Sequence, residues 1–112
     1  MKDFDAIAND YAAGVGQLKP LIPDTWKAFG ALVSAGEKAG ELSSKVKELI
    51  SIAIGIAVHC EGCIALHTRS AVRAGVTRQE FAEMVGVALV MGGGPASVYG
   101  AEALQAFDHF SA

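Results

Sequence analysis

The residues best suited to chemistry in this sequence are two cysteines three positions apart, Cys60 and Cys63, followed by His67. A thiolate is the reactive form of cysteine, and a histidine that titrates near neutral pH can take up or return a thiol proton. A sulfur nucleophile, a second thiol that closes a disulfide and a nearby base are the components of a dithiol oxidoreductase. The sequence therefore predicts redox chemistry at this segment.

A helix predicted over residues 61–74 positions these three side chains. Cys60 falls at its N-terminus, where unpaired amides and the helix dipole favour negative charge and so lower the pKa of a thiol. Residues three or four apart share a helix face, so Cys63 is expected beside Cys60, close enough to form a disulfide. Helical side chains lean toward the N-terminus, which aims His67 at both sulfurs.

The residues alone leave other interpretations of the C-x-x-C pattern open. A zinc site with Cys60, Cys63 and His67 would need a fourth ligand, and Cys60 and His67 lie about 10 Å apart on a continuous helix. A structural disulfide and inert buried thiols are further alternatives. Covalent haem attachment requires a histidine where this chain has Ile64. We therefore predict no metal and no cofactor at the site.

The composition predicts a single domain, residues 1–112, with apolar surface left exposed. Hydrophobic residues make up 52% of the chain and charged residues 19%, against about 25% charged residues in a typical domain. Contiguous exposed apolar surface usually marks an interface. We expect a homo-oligomer, with a monomer of unusually apolar core as the alternative.

Charge and hydropathy narrow the classes of partner. The net charge is −3 without a basic run, so we expect no nucleic-acid partner. The acidic N-terminal segment is unlike a secretory signal. The longest uncharged run, residues 84–101, is divided by a Gly-Gly-Gly-Pro sequence at residues 92–95, so we expect no membrane span. These features predict a cytoplasmic location, where paired cysteines are more often reactive than structural.

The positions of the capping and helix-breaking residues predict an all-α fold of about six helices, with a central antiparallel helix hairpin that carries the C-x-x-C. Asp24 and Ser43 or Ser44 are candidate N-caps, and Thr77 with Glu80 forms a capping box. The predicted helices cover residues 3–14, 24 to 36 or 40, 43 or 44 to 58, 61–74, 77–91 and 95–110.

Apolar spacing predicts which helix faces are buried. Residues 49–58 are apolar on every side, which predicts a helix buried all round, with a buried strand as the rival interpretation. Ser51 and Gly55 lie one turn apart there and allow another backbone to approach closely. The remaining residues expected on buried faces are Phe4, Ile7, Ala8, Tyr11, Trp26, Phe29, Leu32, Val33, Phe81, Met84, Val85, Ala88 and Leu89.

Glu48, Cys60, Cys63 and His67 together form the pattern E-x11-C-x2-C-x3-H. This pattern resembles the alkylhydroperoxidase D-like branch of the carboxymuconolactone decarboxylase family. The resemblance spans about residues 45–106 and includes the segment Ala-Gly-Val-Thr-x-x-Glu at residues 74–80. It implies an alkylhydroperoxidase D-like all-α fold, assembly into trimers or hexamers, and reduction of hydroperoxides or partner disulfides with electrons from a thiol or dithiol donor.

The resemblance also implies roles for the four residues. Glu48 and His67 would relay protons, Cys63 would attack the peroxide, and Cys60 would be its partner. Decarboxylase members lack the cysteine pair, so its presence argues against lactone decarboxylation. The alternatives are a decarboxylase-like enzyme that uses His67 with incidental cysteines, and a non-enzymatic metal-binding or redox-sensing oligomer.

On three points, what the residues indicate differs from what the family pattern implies. Helix-dipole reasoning makes Cys60, not Cys63, the thiol of lower pKa, and the division of labour stays open. By spacing alone Glu48 is a solvated residue; twelve helical residues span about 18 Å, so the next helix must fold back or a neighbouring subunit must supply the contact. Alkylhydroperoxidase D carries a histidine where this chain has Gly62, and His59 lies on the other side of Cys60.

Overall fold

Five α-helices and one 3₁₀ turn make up the computed structural model, which describes residues 2–112. No strand occurs in these residues, so the all-α prediction is confirmed and the apolar segment before the cysteines is a helix. The helices are α1 Phe4–Leu18, α2 Pro23–Glu37, α3 Ser44–Ala57, α4 Glu61–Arg73 and α5 Arg78–Ser111, with the 3₁₀ turn at Lys19–Leu21.

Short polar side chains begin most of these helices. Ser43 accepts a hydrogen bond from the Val46 N–H at 3.2 Å at the start of α3, and Thr77 and Glu80 form the predicted capping box of α5. The predicted cap of α2 is wrong: Pro23 begins that helix, and Asp24 lies in its first turn without capping it. The fixed φ of proline is already suited to a helix start, so no side-chain cap is needed.

α5 folds back on itself at Gly93, whose φ of 69° and ψ of −153° interrupt the helix. The guanidinium of Arg78 pairs with the Asp108 carboxylate through two hydrogen bonds, of 2.8 and 3.0 Å. A straight helix of this length would separate those two residues by about 45 Å. The two segments therefore form an antiparallel pair, which is why the predicted fifth and sixth helices are found within one element.

By length and composition α5 is the one helix in residues 2–112 that is long and apolar enough to cross a membrane. The sequence predicts two short pieces instead, and the fold-back at Gly93 divides the helix where that prediction placed the break. The buried residues of the helix include Phe81, Ala88 and Ala103, which lie in the core of this chain.

The core lies where α3, α4 and α5 pack together, with the start of α1 against them. Gly55 of α3 is buried, and a Cβ added there would lie 3.1 Å from the Cβ of Cys63 in α4. The predicted close approach at this glycine is therefore observed. The largest fully buried side chains are Phe4, Phe81, Ile52, Ile56, Ile64 and Thr68.

Several faces predicted to be buried are exposed in the single chain. α2 buries no residue, and Leu32 is 68% exposed. α3 buries Ile52 and Ile56 but leaves Ile54 57% exposed, so the prediction of a helix buried on all sides is wrong for one chain. The reason is that this chain covers only one side of α3. The other apolar residues that are at least one third exposed include Tyr11, Phe29, Val33, Val46, Ile50, Val58, Val87, Leu89, Val90, Met91 and Val98.

Candidate functional site

A tight turn between α3 and α4 brings the cysteines into place. The Cys60 N–H donates to the Gly55 carbonyl at 2.8 Å, and His59 adopts a left-handed φ of 60° that reverses the chain. α4 then runs back along α3, because Gly55 meets Cys63 and Glu48 meets His67. The structure therefore contains the predicted antiparallel hairpin.

Cys60 is the N-cap residue of α4, as the sequence predicts. Its Sγ accepts a hydrogen bond from the Cys63 N–H at 3.2 Å, a role that serine or aspartate oxygens usually fill. Cys60 and Cys63 form a disulfide with a Cα–Cα distance of 5.2 Å, which is within the usual range. The predicted proximity of the two sulfurs is observed, while their chemical roles stay a prediction.

Glu48 and His67 form a partly buried pair on the same hairpin. Glu48 Oε2 lies 2.8 Å from His67 Nδ1, and the two side chains are 17% and 29% exposed. An ionised carboxylate can only accept, so Nδ1 donates and Nε2 is left to exchange a proton with another group. The contact forms within one chain, which corrects the spacing-based expectation that Glu48 is solvated and makes a neighbouring subunit unnecessary for it.

A cavity of about 780 Å³ contains both pairs. The disulfide, Glu48 and His67 line its α3–α4 side. Aromatic and aliphatic side chains from α1, α2 and α4 line the rest, and Glu37 and Ser34 add polar groups from α2. The apolar lining residues are Tyr11, Phe29, Val33 and Leu66. The site is therefore a largely apolar cavity with one disulfide and one carboxylate–imidazole pair in its wall.

Glu37 also lines this cavity, although no motif in the sequence points to it. Its Oε1 accepts a hydrogen bond from the Ser51 hydroxyl at 2.8 Å. A carboxylate oxygen of Glu37, one of Glu48 and a ring nitrogen of His67 all lie within 4.8 Å of one another. One sequence signal was present: Glu37 is the last residue of α2, where the helix dipole disfavours a carboxylate.

His59 does not take the place of the histidine that Gly62 replaces. Its ring stacks on Tyr99 with centroids 4.6 Å apart and planes 6° from parallel, and it is absent from the cavity wall, which Gly62 lines. Nearby, Glu61 pairs with Lys2, which also contacts Glu102. Hydrogen bonds to Glu102 and Glu61 raise the pKa of Lys2. This ammonium offsets the negative charge of Glu61 next to Cys60.

Within residues 2–112, one group of three side chains has ligand atoms close enough to share a metal ion: Glu37, Glu48 and His67. Carboxylate and imidazole ligands suit several divalent metals. The set considered from the sequence, Cys60 and Cys63 with His67, is not assembled as thiolates because the two sulfurs are bonded to each other.

This protein belongs to the class of all-helical domains that carry a C-x-x-C disulfide at the N-terminus of one helix and a glutamate–histidine pair beside it. The family model for the carboxymuconolactone decarboxylase family matches residues 20–106. The chain belongs to that family, as the resemblance of its four-residue pattern implies.

Two uncharacterized proteins and one solved structure, whose title names the same family, are similar to this chain. An uncharacterized protein of Cupriavidus necator is 36% identical over 97 residues, which cover 87% of this chain and 86% of that protein. The uncharacterized protein 4 in the cox locus of Paracoccus denitrificans is 32% identical over 87 residues, covering 78% and 76%. The crystal structure of a carboxymuconolactone decarboxylase family protein from Legionella pneumophila, in its apo form, is 39% identical with a TM-score of 0.94 and covers 97% of both chains.

Proposed function

We propose that this protein is a thiol-dependent oxidoreductase that cycles Cys60 and Cys63 between dithiol and disulfide to reduce hydroperoxides or partner disulfides. The observation that carries the proposal is the disulfide at the N-terminus of α4, in the wall of the cavity that also contains Glu48 and His67. The N-terminus of a helix favours the thiolate form of a cysteine, and an adjacent imidazole can move the protons that the reaction requires.

The peroxide reaction takes two steps. In the first, the Cys63 thiolate attacks one oxygen of the hydroperoxide, the O–O bond breaks, and the other oxygen leaves as an alcohol with a proton from His67. Cys63 is then a sulfenic acid. In the second, the Cys60 sulfur attacks that sulfenic acid, the S–S bond forms, and the hydroxide leaves as water with the Cys60 proton. This assignment of the two cysteines follows the family resemblance.

An external thiol or dithiol donor completes the cycle. Its thiolate attacks the Cys60–Cys63 disulfide, a mixed disulfide forms, and a second donor thiol releases the reduced protein and an oxidised donor. The reverse sequence reduces a partner disulfide. Cys60 suits this exchange because its sulfur receives the helix N-terminal hydrogen bond from Cys63, which stabilises a thiolate there.

Assembly and location are part of the proposal. Exposed apolar residues on α2, α3 and α5 support a homo-oligomer, with the trimer or hexamer that the family implies. A cytoplasmic location fits a cycle that draws electrons from small thiols or dithiol proteins. We propose no nucleic-acid or membrane partner.

The test is hydroperoxide consumption with dithiothreitol as donor, measured for wild type, Cys63→Ser and Cys60→Ser. We expect turnover by the wild type and its loss in both variants. A parallel assay with a small aromatic disulfide as substrate separates peroxide reduction from disulfide exchange. Equal peroxide consumption in wild type and Cys63→Ser would contradict the peroxidase assignment. Peroxide consumption that survives both substitutions would show that the cysteines are incidental, as the decarboxylase-like alternative requires.

A metal-binding protein is the second candidate, because Glu37, Glu48 and His67 lie close enough to share an ion. Elemental analysis of purified protein separates it from the first. Stoichiometric metal whose removal by a chelator abolishes activity would favour this candidate. Metal-free protein with full turnover would favour the dithiol mechanism.

A further inference from the structure

The apolar side of the disulfide cavity is built by three helices. Tyr11 belongs to α1, Phe29 and Val33 to α2, and Leu66 to α4. Tyr11, Phe29 and Val33 are 45%, 47% and 43% exposed, so each keeps about half of its surface uncovered although it lines a cavity. Apolar surface gains free energy in proportion to the area that a ligand removes from water. This side of the cavity therefore favours a substrate with an apolar body.

Two of these side chains, Tyr11 and Phe29, are aromatic and reach the cavity from different helices. The Phe29 ring also packs against the Trp26 ring, with centroids 5.5 Å apart and planes 54° from parallel, and this contact supports the ring in the cavity wall. Aromatic rings attract one another edge-to-face or offset-stacked, beyond the effect of buried area. A saturated ring of the same size gains only the burial. The wall therefore distinguishes an aromatic substrate from an aliphatic one.

The aromatic side chains share one cavity with the sulfurs. Cys60 and Cys63 line it as well, so a hydroperoxide whose oxygens reach Cys63 leaves its carbon substituent in the space that Tyr11 and Phe29 border. The volume of about 780 Å³ lies in the range of pockets that hold small organic molecules. Hydrogen peroxide has no carbon substituent and would leave the apolar wall uncovered.

We propose that Tyr11 and Phe29 are specificity-determining residues, and that the preferred substrate is a hydroperoxide whose carbon substituent carries an aromatic ring. The inference rests on the proposed dithiol function and names the substrate class of that site. With cumene hydroperoxide the O–O bond breaks and the dithiol gives up two electrons. The products are 2-phenylpropan-2-ol, water and the Cys60–Cys63 disulfide. The two rings bind the phenyl group and take no part in the bond changes, so they act on KM rather than kcat.

The experiment compares cumene hydroperoxide with p-menthane hydroperoxide, whose ring is saturated and of similar size, with dithiothreitol as donor. Phe29→Leu and Tyr11→Leu each remove a ring and keep an apolar side chain. We expect kcat/KM for the aromatic peroxide relative to the saturated one to fall about threefold to tenfold in each variant, mainly through KM. The intrinsic reactivities of the two peroxides cancel in this comparison between variants.

Leu32→Ala is the matched control. Leu32 is also an apolar residue of α2 and is 68% exposed, but it does not line the cavity. This variant should keep the wild-type ratio of the two peroxides. An equal loss in Leu32→Ala and Phe29→Leu would show that the effect comes from α2 as a whole and would overturn the inference.

A second measurement requires no peroxide turnover. The product alcohol 2-phenylpropan-2-ol should slow the alkylation of the reduced cysteines by iodoacetamide, while tert-butanol at the same concentration should not. Phe29→Leu should weaken this protection and Leu32→Ala should retain it. A wild type that is protected in this way but ignores every peroxide would end the peroxidase assignment, while the aromatic-binding site would stand.

Two further results would overturn the inference: an unchanged ratio of the two peroxides in both ring variants, or equal protection by the two alcohols. Far-UV circular dichroism checks that each variant is folded. If Phe29→Leu does not fold, Tyr11→Leu decides the question, because it removes a ring from α1 and leaves α2 intact.

Discussion

Glu48 Oε2 lies 2.8 Å from Nδ1 of His67, although the two residues are 19 positions apart and belong to different helices. The contact exists because the turn at His59 and Cys60 reverses the chain and Gly55 lets the two helices approach. The carboxylate fixes which imidazole nitrogen carries a proton and how the ring is oriented. The geometry of this one hairpin therefore sets the positions of both the disulfide and the His67 imidazole.

Glu48→Gln should lower the rate of hydroperoxide reduction by about tenfold or more at neutral pH, because the neutral amide holds the His67 ring without stabilising its protonated form. The measurement is peroxide consumption with a dithiol donor. Glu41→Gln, which alters an exposed glutamate away from the cavity, should keep the wild-type rate. Equal rates for Glu48→Gln and Glu41→Gln would remove Glu48 from the mechanism.

The fold-back of α5 should contribute stability that depends on pH through Asp108. The hydrogen bonds from Arg78 hold the pKa of this carboxyl below its ordinary value. A lowered folded-state pKa means that the pair stabilises the fold above the pKa of the unfolded chain and loses that effect as pH falls through the folded-state value. Asp108→Asn should therefore have a lower Tm than wild type at pH 7, and this Tm difference should shrink as the pH falls through the folded-state pKa of Asp108.

Thermal unfolding of both proteins across pH 2 to 7 measures this effect. Because the Arg78–Asp108 pair is exposed to solvent, the Tm difference at pH 7 should also shrink as salt is added. A Tm difference that persists unchanged at the acid end would show that Asp108→Asn acts through something other than the ion pair.

Gly55→Val should separate α3 from α4 at the disulfide. Even the first carbon of a side chain at Gly55 would lie 3.1 Å from the Cβ of Cys63, and valine adds two further methyl groups. We expect a loss of about 1–3 kcal/mol in the free energy of unfolding from overpacking. Gly16→Val is the matched control, since a Cβ at Gly16 has no neighbour within 4 Å. Chemical denaturation measures both, and equal stabilities would mean that the close approach at Gly55 is unimportant.

The exposed apolar stripe along α3 and its C-cap residue, formed by Val46, Ile50, Ile54 and Val58, should lie in a subunit interface. A charge introduced in its middle by Ile54→Glu is expected to lower the assembly state, because an unpaired carboxylate would be buried on association. Asn9→Glu adds the same charge on an exposed part of α1 and should leave assembly unchanged. Light scattering at micromolar concentration reads out the mass, and a monomeric wild type would refute the interface.

Local signals in the sequence predicted the helices well. The hydroxyls of Ser43 and Thr77 begin α3 and α5 as expected, and Cys60 begins α4, because capping depends only on residues a few positions apart. The pairing of Cys60 with Cys63 was predictable for the same reason. The Glu48–His67 contact was not, because it depends on how α4 folds back, and only the family pattern pointed to it.

The incorrect predictions concern which helix faces and side chains pack against one another. Leu32 and Val33 were expected inside because their spacing follows a helix face, but spacing identifies an apolar face without naming its partner. The single chain leaves that face uncovered. Glu37 was missed because its neighbours, Ser51, Glu48 and His67, come from other helices and no short motif links them.

Two parts of the chain that differ in their tolerance to substitution line the cavity. The reacting groups lie on the α3–α4 hairpin, whose two helices pack closely at Gly55 and leave little room for a larger side chain there. Much of the opposite wall comes from Phe29 and Val33, which are about half exposed and bury little on folding. Substitutions in α2 can therefore change which molecules the cavity admits, while the sulfur chemistry and the folded core stay as they are.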